Sequence, residues 1–205
     1  MRFILPFVLH QPVGIRKVRD SLDGTEQNAR ERIIDAAEEV VIREGARHVT
    51  LDAVVQEAGV SKGGLIYHFK NKEALLQAML DRLVMRTETN RRQKCEMLEK
   101  GQGMGIIAYV LASLAQDDKT RKVGGAILAA AAHAPKLLLP FYEEYRRLLD
   151  EFGRDGLSPA KAGVIMLAVD GLRLMDLLPY SPLRADERKD VIEEIIRMAK
   201  GERQG

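Results

Sequence analysis

Tryptophan is absent from this sequence of 205 residues, cysteine occurs once, and aromatic residues make up only 5% of it. Because Cys95 stands alone, an internal disulfide and a zinc site built from several cysteines are excluded, and the composition fits a reducing compartment. The four histidines, at positions 10, 48, 68 and 133, lack the spacing of metal ligands. We therefore expect neither a structural metal nor a bound cofactor.

Long apolar runs are also missing. Met1–Leu9 is too short to span a membrane. It is also a poor secretory signal, because Pro6 interrupts it and no small-residue cleavage site precedes Arg16. We expect a cytoplasmic protein without membrane contact. Residues 1–24 are predicted to be a poorly ordered arm, or the product of a start codon assigned too far upstream.

Catalytic patterns are lacking as well. The chain contains no Ser/His/Asp or Cys/His arrangement and no phosphate-binding loop of the G-x-x-x-x-G-K-[ST] type. The acidic pairs Asp117-Asp118 and Glu143-Glu144 are typical of a turn and of a helix surface. An enzyme is therefore the least favoured class of function.

A strong excess of charge is the last missing feature, since the formal net charge is only +2. Most nucleic-acid-binding domains carry a clear basic bias. A nucleic-acid hypothesis for this chain must therefore depend on a motif and on the local placement of charge.

What the sequence does contain is a high content of helix-forming residues, with 46% hydrophobic residues overall. Apolar positions recur at helical spacing along most of the chain. We predict an all-α fold of about nine helices, with a three-helix N-terminal domain at residues 25–72 and a larger helical domain at residues 73–205.

Capping residues predict the ends of the N-terminal helices. The first helix begins near Thr25 and ends at Gly45, and Thr50 caps the second. After the second helix, Gly59 permits the positive φ of a tight turn. The next two caps are Ser61, for a helix over Lys62–Phe69, and Asn71, for a long helix that reaches about Leu98.

The C-terminal helices are predicted from apolar periodicity and from proline. A fifth helix starts at Ile106 and ends near Asp117-Asp118, and a buried helix covers Val123–His133. A helix with a proline in its first turn follows. The last two predicted helices are Ser158–Leu178 and Arg184–Lys200.

Two short helices joined by a glycine turn of about four residues form the layout of a helix-turn-helix. Its second helix would present its N-terminal half to the major groove, while the N-termini of three helices would offer amides to phosphates. Gly63 and Gly64 are costly inside a helix. A close approach to DNA explains them better than a relaxed helix start, although both interpretations are open.

The segment from Ala58 to Leu76, AGVSKGGLIYHFKNKEALL, resembles the signature of the TetR family of transcriptional regulators, and the likeness extends over about residues 28–80. The resemblance implies that Thr50, Ser61, Tyr67, His68 and Lys72 contact phosphates and that Lys62, Gly63 and Gly64 face base edges. Phe69 would pin the recognition helix to the core. At Lys70 this chain departs from the family, in which proline is common there.

The resemblance also implies a ligand cavity among the central helices and a dimer formed by the last two. Most residues in either set could equally belong to the core. Candidate cavity residues are Ile107, Tyr109, Leu111, His133, Phe141, Tyr142 and Met166. Candidate dimer contacts are Ile165, Val169, Gly171, Leu172, Leu178, Val191, Ile195 and Met198.

The function implied by the motif and the resemblance is sequence-specific regulation of transcription. We expect a homodimer that represses from double-stranded operator DNA and is released by an apolar or amphipathic small molecule. The alternative is a helix-turn-helix DNA-binding or protein-interaction factor that senses no small molecule.

Overall fold

The computed structural model describes residues 14–45, 49–178 and 181–201. Within these ranges the fold is all-α, with nine α-helices and one short 3-10 turn (Pro135–Leu138), as predicted. None of these helices is long and apolar enough to cross a membrane. The helices are α1 (Gly14–Glu44), α2 (Leu51–Ala58), α3 (Lys62–His68), α4 (Lys72–Met97), α5 (Met104–Leu114), α6 (Asp118–Ala131), α7 (Leu139–Arg154), α8 (Pro159–Met175) and α9 (Ala185–Lys200).

The first hydrophobic core joins α1–α4 to α6 and the 3-10 turn. Ile33 and Val40 of α1 and Leu65 of α3 are fully buried in it, and Ile127 of α6 lies in the same cluster. The core therefore continues past the domain boundary predicted at residue 72, so the helix-turn-helix is packed directly on part of the C-terminal domain.

The second core is formed by α5, α7, α8 and α9. Ile106, Phe152, Ile165 and Met166 are fully buried there, and Ile195 brings in the last helix. Helix α4 contacts α5 and α7 as well as α1. A single long helix thus connects the two cores.

Several helix ends differ from the prediction, and three of them bear on the domain layout. Helix α1 already begins at Gly14, so residues 14–24 continue it, while the predicted arm over residues 1–13 lies outside the described residues. Asp117 does not end α5 but caps α6, since its Oδ1 accepts a hydrogen bond from the amide of Thr120 at 2.7 Å. Helix α8 ends at Met175, three residues before Leu178.

Candidate nucleic-acid interface and adjoining cavity

The ends of α2, α3 and α4 are fixed by the caps that the sequence predicts. Thr50 Oγ1 accepts from the Ala53 amide at 3.1 Å, and Ser61 Oγ accepts from the Gly64 amide at 3.0 Å. Asn71 Oδ1 accepts from the Ala74 amide at 2.8 Å. Gly59 has a φ of +62°, the left-handed conformation that glycine adopts without strain. Of these four residues, Gly59 and Ser61 lie in the turn between α2 and α3 and determine the direction in which α3 leaves it.

Helix α3 is held by its inner face and leaves its outer face free. Leu65 is fully buried and Phe69, just after the helix, is 3% exposed. The Arg30 guanidinium lies 5.4 Å from the centre of the Phe69 ring and covers it. On the opposite side Tyr67 is 71% exposed and Ile66 is also exposed. Phe69 thus has the pinning role predicted for it.

The predicted DNA-contacting residues lie on α3, at its N-cap and at the N-termini of α2 and α4. Thr50, Ser61, Lys62, Gly63 and Tyr67 are exposed. Gly64, His68 and Lys72 are half-buried, and partial burial lowers the pKa of the Lys72 ammonium. Lys70 is exposed beside them.

Lys62 has a partner that the sequence did not reveal. Its Nζ lies 2.8 Å from Oδ1 of Asp52, in the first turn of α2. Both side chains are well exposed, so the ion pair is weak and exchangeable. Lys62 would have to leave Asp52 in order to reach a base.

The two glycines of α3 differ in their surroundings. A Cβ added to Gly64 would lie 3.2 Å from the capping Ser61 Oγ, whereas a Cβ added to Gly63 would meet nothing within 4 Å. Contacts within the chain therefore explain why position 64 is occupied by glycine, but they do not explain the glycine at position 63. This contrast supports the interpretation that a partner outside the chain approaches the backbone at Gly63.

A cavity of about 400 Å³ lies between α4, α5, α6, α7 and α8. Its walls are mainly apolar, and Gly124 and Gly125 leave room on the α6 side. A smaller cavity of about 60 Å³ shares Phe141 and Arg173 with it. The main apolar lining residues are Leu80, Leu83, Ile127, Leu128, Phe141 and Leu177.

The predicted cavity residues divide into two groups. Phe141 and Tyr142 line the larger cavity, and Tyr109 lines the smaller one. For the other four the prediction was wrong, because they line neither cavity: Ile107, Leu111, His133 and Met166.

The reasons for these corrections are packing and helix bounds. Met166 is fully buried within the second core, and Ile107 packs against that core. His133 is exposed in the turn after α6, which already ends at Ala131, rather than lying inside an apolar helix. Leu111 is half-buried on α5 and faces neither space.

The predicted dimer contacts also need correction. Ile165, Val169, Leu172 and Ile195 are buried in the second core of the same chain, so they offer no surface to a partner. Val191 and Met198 are half-buried and pack against that core. Of the predicted set, only Gly171 and Leu178 lie on the side of α8 that this core leaves uncovered.

Helix α8 carries a second apolar face, which we call the outer face of α8. Its large side chains, Val164, Leu167 and Leu174, are exposed, and so is Leu178, three residues beyond the end of the helix. With Gly171 they follow spacings of three and four residues, the pattern of a helix-helix seam. A Cβ added to Gly171 would meet nothing within 4 Å, which leaves space for the close approach of another helix.

Two family models match this chain. Residues 33–79 match the bacterial regulatory proteins of the tetR family, and residues 106–200 match the tetracyclin repressor-like C-terminal domain. The chain belongs to the TetR family. The first match covers the helix-turn-helix and the second covers the helices around the cavity, in agreement with the resemblance found at residues 58–76.

Curated TetR-family relatives match over part of their length. TtgR from Pseudomonas putida, an HTH-type transcriptional regulator, is 32% identical over 101 residues, which are 47% of this chain and 48% of TtgR. SrpR, also from Pseudomonas putida, is 44% identical over 54 residues, or 26% of this chain and 25% of SrpR. The chain thus spans about half, or less, of the length of these relatives.

Solved TetR-like structures share the fold. The multidrug binding protein EbrR, crystallised with imidazole, has a TM-score of 0.64 at 23% identity, and the match covers 82% of this chain and 88% of EbrR. A putative transcriptional regulator from Pseudomonas aeruginosa PAO1 has a TM-score of 0.68 at 20% identity, with 84% and 88% covered. At these identities the likeness concerns the fold alone.

Proposed function

We propose that this TetR-family protein is a transcriptional repressor that binds operator DNA as a homodimer in the cytoplasm and is released by a small molecule. The observation that carries the proposal is the exposed outer face of α3, which is flanked by the capped N-termini of α2 and α4. The proposal assigns no catalytic step to the protein.

The caps leave donors available for phosphates. The hydroxyls of Thr50 and Ser61 accept hydrogen bonds from their own helices, and a hydroxyl still has one O–H to donate. Backbone amides at the same helix ends add partial positive charge. Tyr67, which is largely exposed, can donate its phenolic O–H to the same strand.

The cavity favours sensing over a constitutive DNA-binding role. Its walls include Leu83 of α4, the helix that connects the two cores, and Ile127 of α6, which also belongs to the first core. A ligand between these helices would shift the helix-turn-helix relative to its copy in the dimer. The two recognition helices must stand about 34 Å apart, or a multiple of this distance, to enter successive major grooves.

The proposed function is tested by selecting bound sequences from random duplex DNA and then measuring affinity for the selected operator. We expect Tyr67→Ala to weaken binding to the operator and to random duplex by a similar factor, about 5-fold to 10-fold, because phosphate contacts are independent of sequence. Tyr67→Phe, which removes only the hydroxyl, is the matched control and should show most of that loss. A wild-type protein that selects no sequence over random competitor at moderate salt would exclude the function.

We expect the outer face of α8 to form the dimer. Leu167→Glu places a charge at its centre and should raise the dimer dissociation constant by about 30-fold or more, since a central apolar contact in an interface contributes about 2 kcal/mol or more. Met85→Glu on α4 is the control, because Met85 and Leu167 are 69% and 68% exposed. Sedimentation should show monomer for Leu167→Glu only. Equal dimerisation of the two variants would show that the dimer interface does not include the outer face of α8.

A further inference from the structure

The cavity has one polar end, formed by α5 and α8. Ser113 and Gln116 contribute from α5 and the loop after it, and Asp170 and Arg173 contribute from α8. The remainder of the wall is mostly leucine, isoleucine, phenylalanine and glycine. A ligand that fits this cavity is therefore amphipathic, with its polar group at the α5–α8 end.

Ser113 carries a poorly satisfied hydroxyl at that end. Its side chain is 2% exposed, and its Oγ has no well-formed hydrogen bond within the part of the chain that the structure describes, although the Tyr109 hydroxyl lies near enough to interact with it. Buried hydroxyls are normally paired, and leaving one unpaired has a cost. A ligand atom in the cavity would give this hydroxyl a partner.

The two carboxylates of the cavity are already supplied with donors. Asp170 Oδ2 accepts from the Tyr145 hydroxyl at 2.9 Å, and Asp176 Oδ2 accepts from Arg188 Nη2 at 2.9 Å. Burial raises the pKa of the Asp170 carboxyl, against the opposing effects of Tyr145 and Arg173. A cationic ligand would have to compete with these donors for the carboxylates of Asp170 and Asp176.

Arg173 is the more loosely held of the two guanidiniums of the cavity. It reaches Asp170 at 3.4 Å and Gln116 Oε1 at 3.3 Å, both longer than good hydrogen bonds of this kind. Arg121 is closely paired with Asp118, whose second oxygen lies 2.7 Å from Lys122 Nζ. A guanidinium has five N–H donors. The number of hydrogen-bond donors at this end of the cavity therefore exceeds the number of acceptors.

We infer that the effector is an amphipathic organic anion, a carboxylic acid on a flat apolar body, whose carboxylate pairs with Arg173 and accepts from Ser113. The inference deepens the proposed sensing role and rests on it. A planar guanidinium pairs bidentately with a carboxylate, and the low polarity of the cavity strengthens that pair. Arg121, at the α6 side, adds positive charge without a direct contact.

The test uses three probes with one apolar body: 2-naphthylacetate, 2-naphthylacetamide and 2-naphthylethylamine. Calorimetric titration into the wild-type dimer should show the carboxylate binding at least about tenfold more tightly than the amide or the amine. Arg173→Gln should abolish this preference, and Arg173→Lys should keep part of it because the charge remains. Thermal unfolding of each variant checks that it is folded.

Two further variants establish where the probes bind and what Ser113 does. Gly124→Leu places a side chain in the cavity and should weaken all three probes alike, since Gly124 lines the cavity and a Cβ there has only an ordinary contact with Leu83 at 3.5 Å. Ser113→Ala should weaken the carboxylate about threefold to tenfold and leave the amine unchanged. Retained carboxylate affinity in Gly124→Leu would place the site elsewhere and overturn the inference.

Other outcomes separate this inference from the proposed function. Tighter binding of the amine, equal binding of all three probes, or no binding up to about 1 mM would overturn the choice of an organic anion. Operator binding is measured on the same samples without a probe. The proposed DNA-binding function is therefore tested independently of the ligand class. A carboxylate that binds through Arg173 but leaves the operator complex intact would support the ligand class and contradict release.

Discussion

Glu38→Ala is expected to destabilise the protein by about 3–5 kcal/mol, because it removes a buried anion from a site with three cations. Glu38, on α1, is 1% exposed. Its carboxylate lies 3.2 Å from Arg82 Nη1 and 3.3 Å from Arg86 Nη1, both on α4, and 3.4 Å from Lys119 Nζ on α6. Three helices of the first core therefore meet at one carboxylate.

The loss should be large because it leaves buried positive charge behind. The Arg82 side chain is only 11% exposed, and although it also pairs with Glu31 and Asp35 on α1, its Nε makes no hydrogen bond within the described residues. A chain of this size loses about 2–4 °C of melting temperature per kcal/mol. Thermal unfolding should therefore show a drop of about 6–20 °C.

Glu39→Ala is the matched control for Glu38. Glu39 is 51% exposed and pairs with the same Lys119, at 2.7 Å. An exposed pair contributes no more than about 1 kcal/mol, so this variant should stay within about 3 °C of the wild type. Similar melting temperatures for the two variants would show that burial of Glu38 adds nothing to the stability of the α1–α4–α6 junction.

Lys62→Ala is expected to lower affinity for the selected operator by about 5-fold to 150-fold, which corresponds to about 1–3 kcal/mol, while changing affinity for random duplex much less. Lys62 is the first residue of α3, on the face that would enter the major groove. A base contact discriminates between sequences in this way, whereas a phosphate contact does not. A repeated sequence selection should show relaxed preference at one position.

Asp52→Ala provides the complementary variant. It removes the acid that holds Lys62 in the free protein and takes a negative charge away from the proposed DNA face. Affinity should rise for the operator and for random duplex, and the dependence on salt should steepen slightly. If Lys62→Ala weakens both duplexes by the same factor, Lys62 contacts a phosphate and reads no base.

The helix caps and the glycine turn were predictable from the sequence. Thr50, Ser61 and Asn71 cap the helices for which they were predicted, and Gly59 adopts the positive φ expected of the turn. A cap or a glycine turn involves residues only three or four positions apart, so its signal is contained in a short stretch of sequence. The recognition helix and its exposed face follow from these signals.

The cavity and dimer residues were harder to predict because they depend on which face of a helix is covered. Helix α8 is apolar on two sides: Ile165 and Val169 face the core of their own chain, whereas Val164 and Leu167 face outward. Periodicity shows that a face is apolar, but it does not show which element covers that face. His133 was misplaced because Pro135 indicates only that α6 ends before it and does not fix the end at Ala131.

The sequence by itself determined the all-α fold, the helix-turn-helix and its caps, because each depends on neighbours along the chain. Only the tertiary structure decided that Glu38 meets cations from α4 and α6, that Asp52 holds Lys62, and that Ser113 and Arg173 share one cavity. The members of each of these sets lie on different helices. They come together only because the burial of two apolar cores fixes the helices against one another, and no local pattern encodes that arrangement.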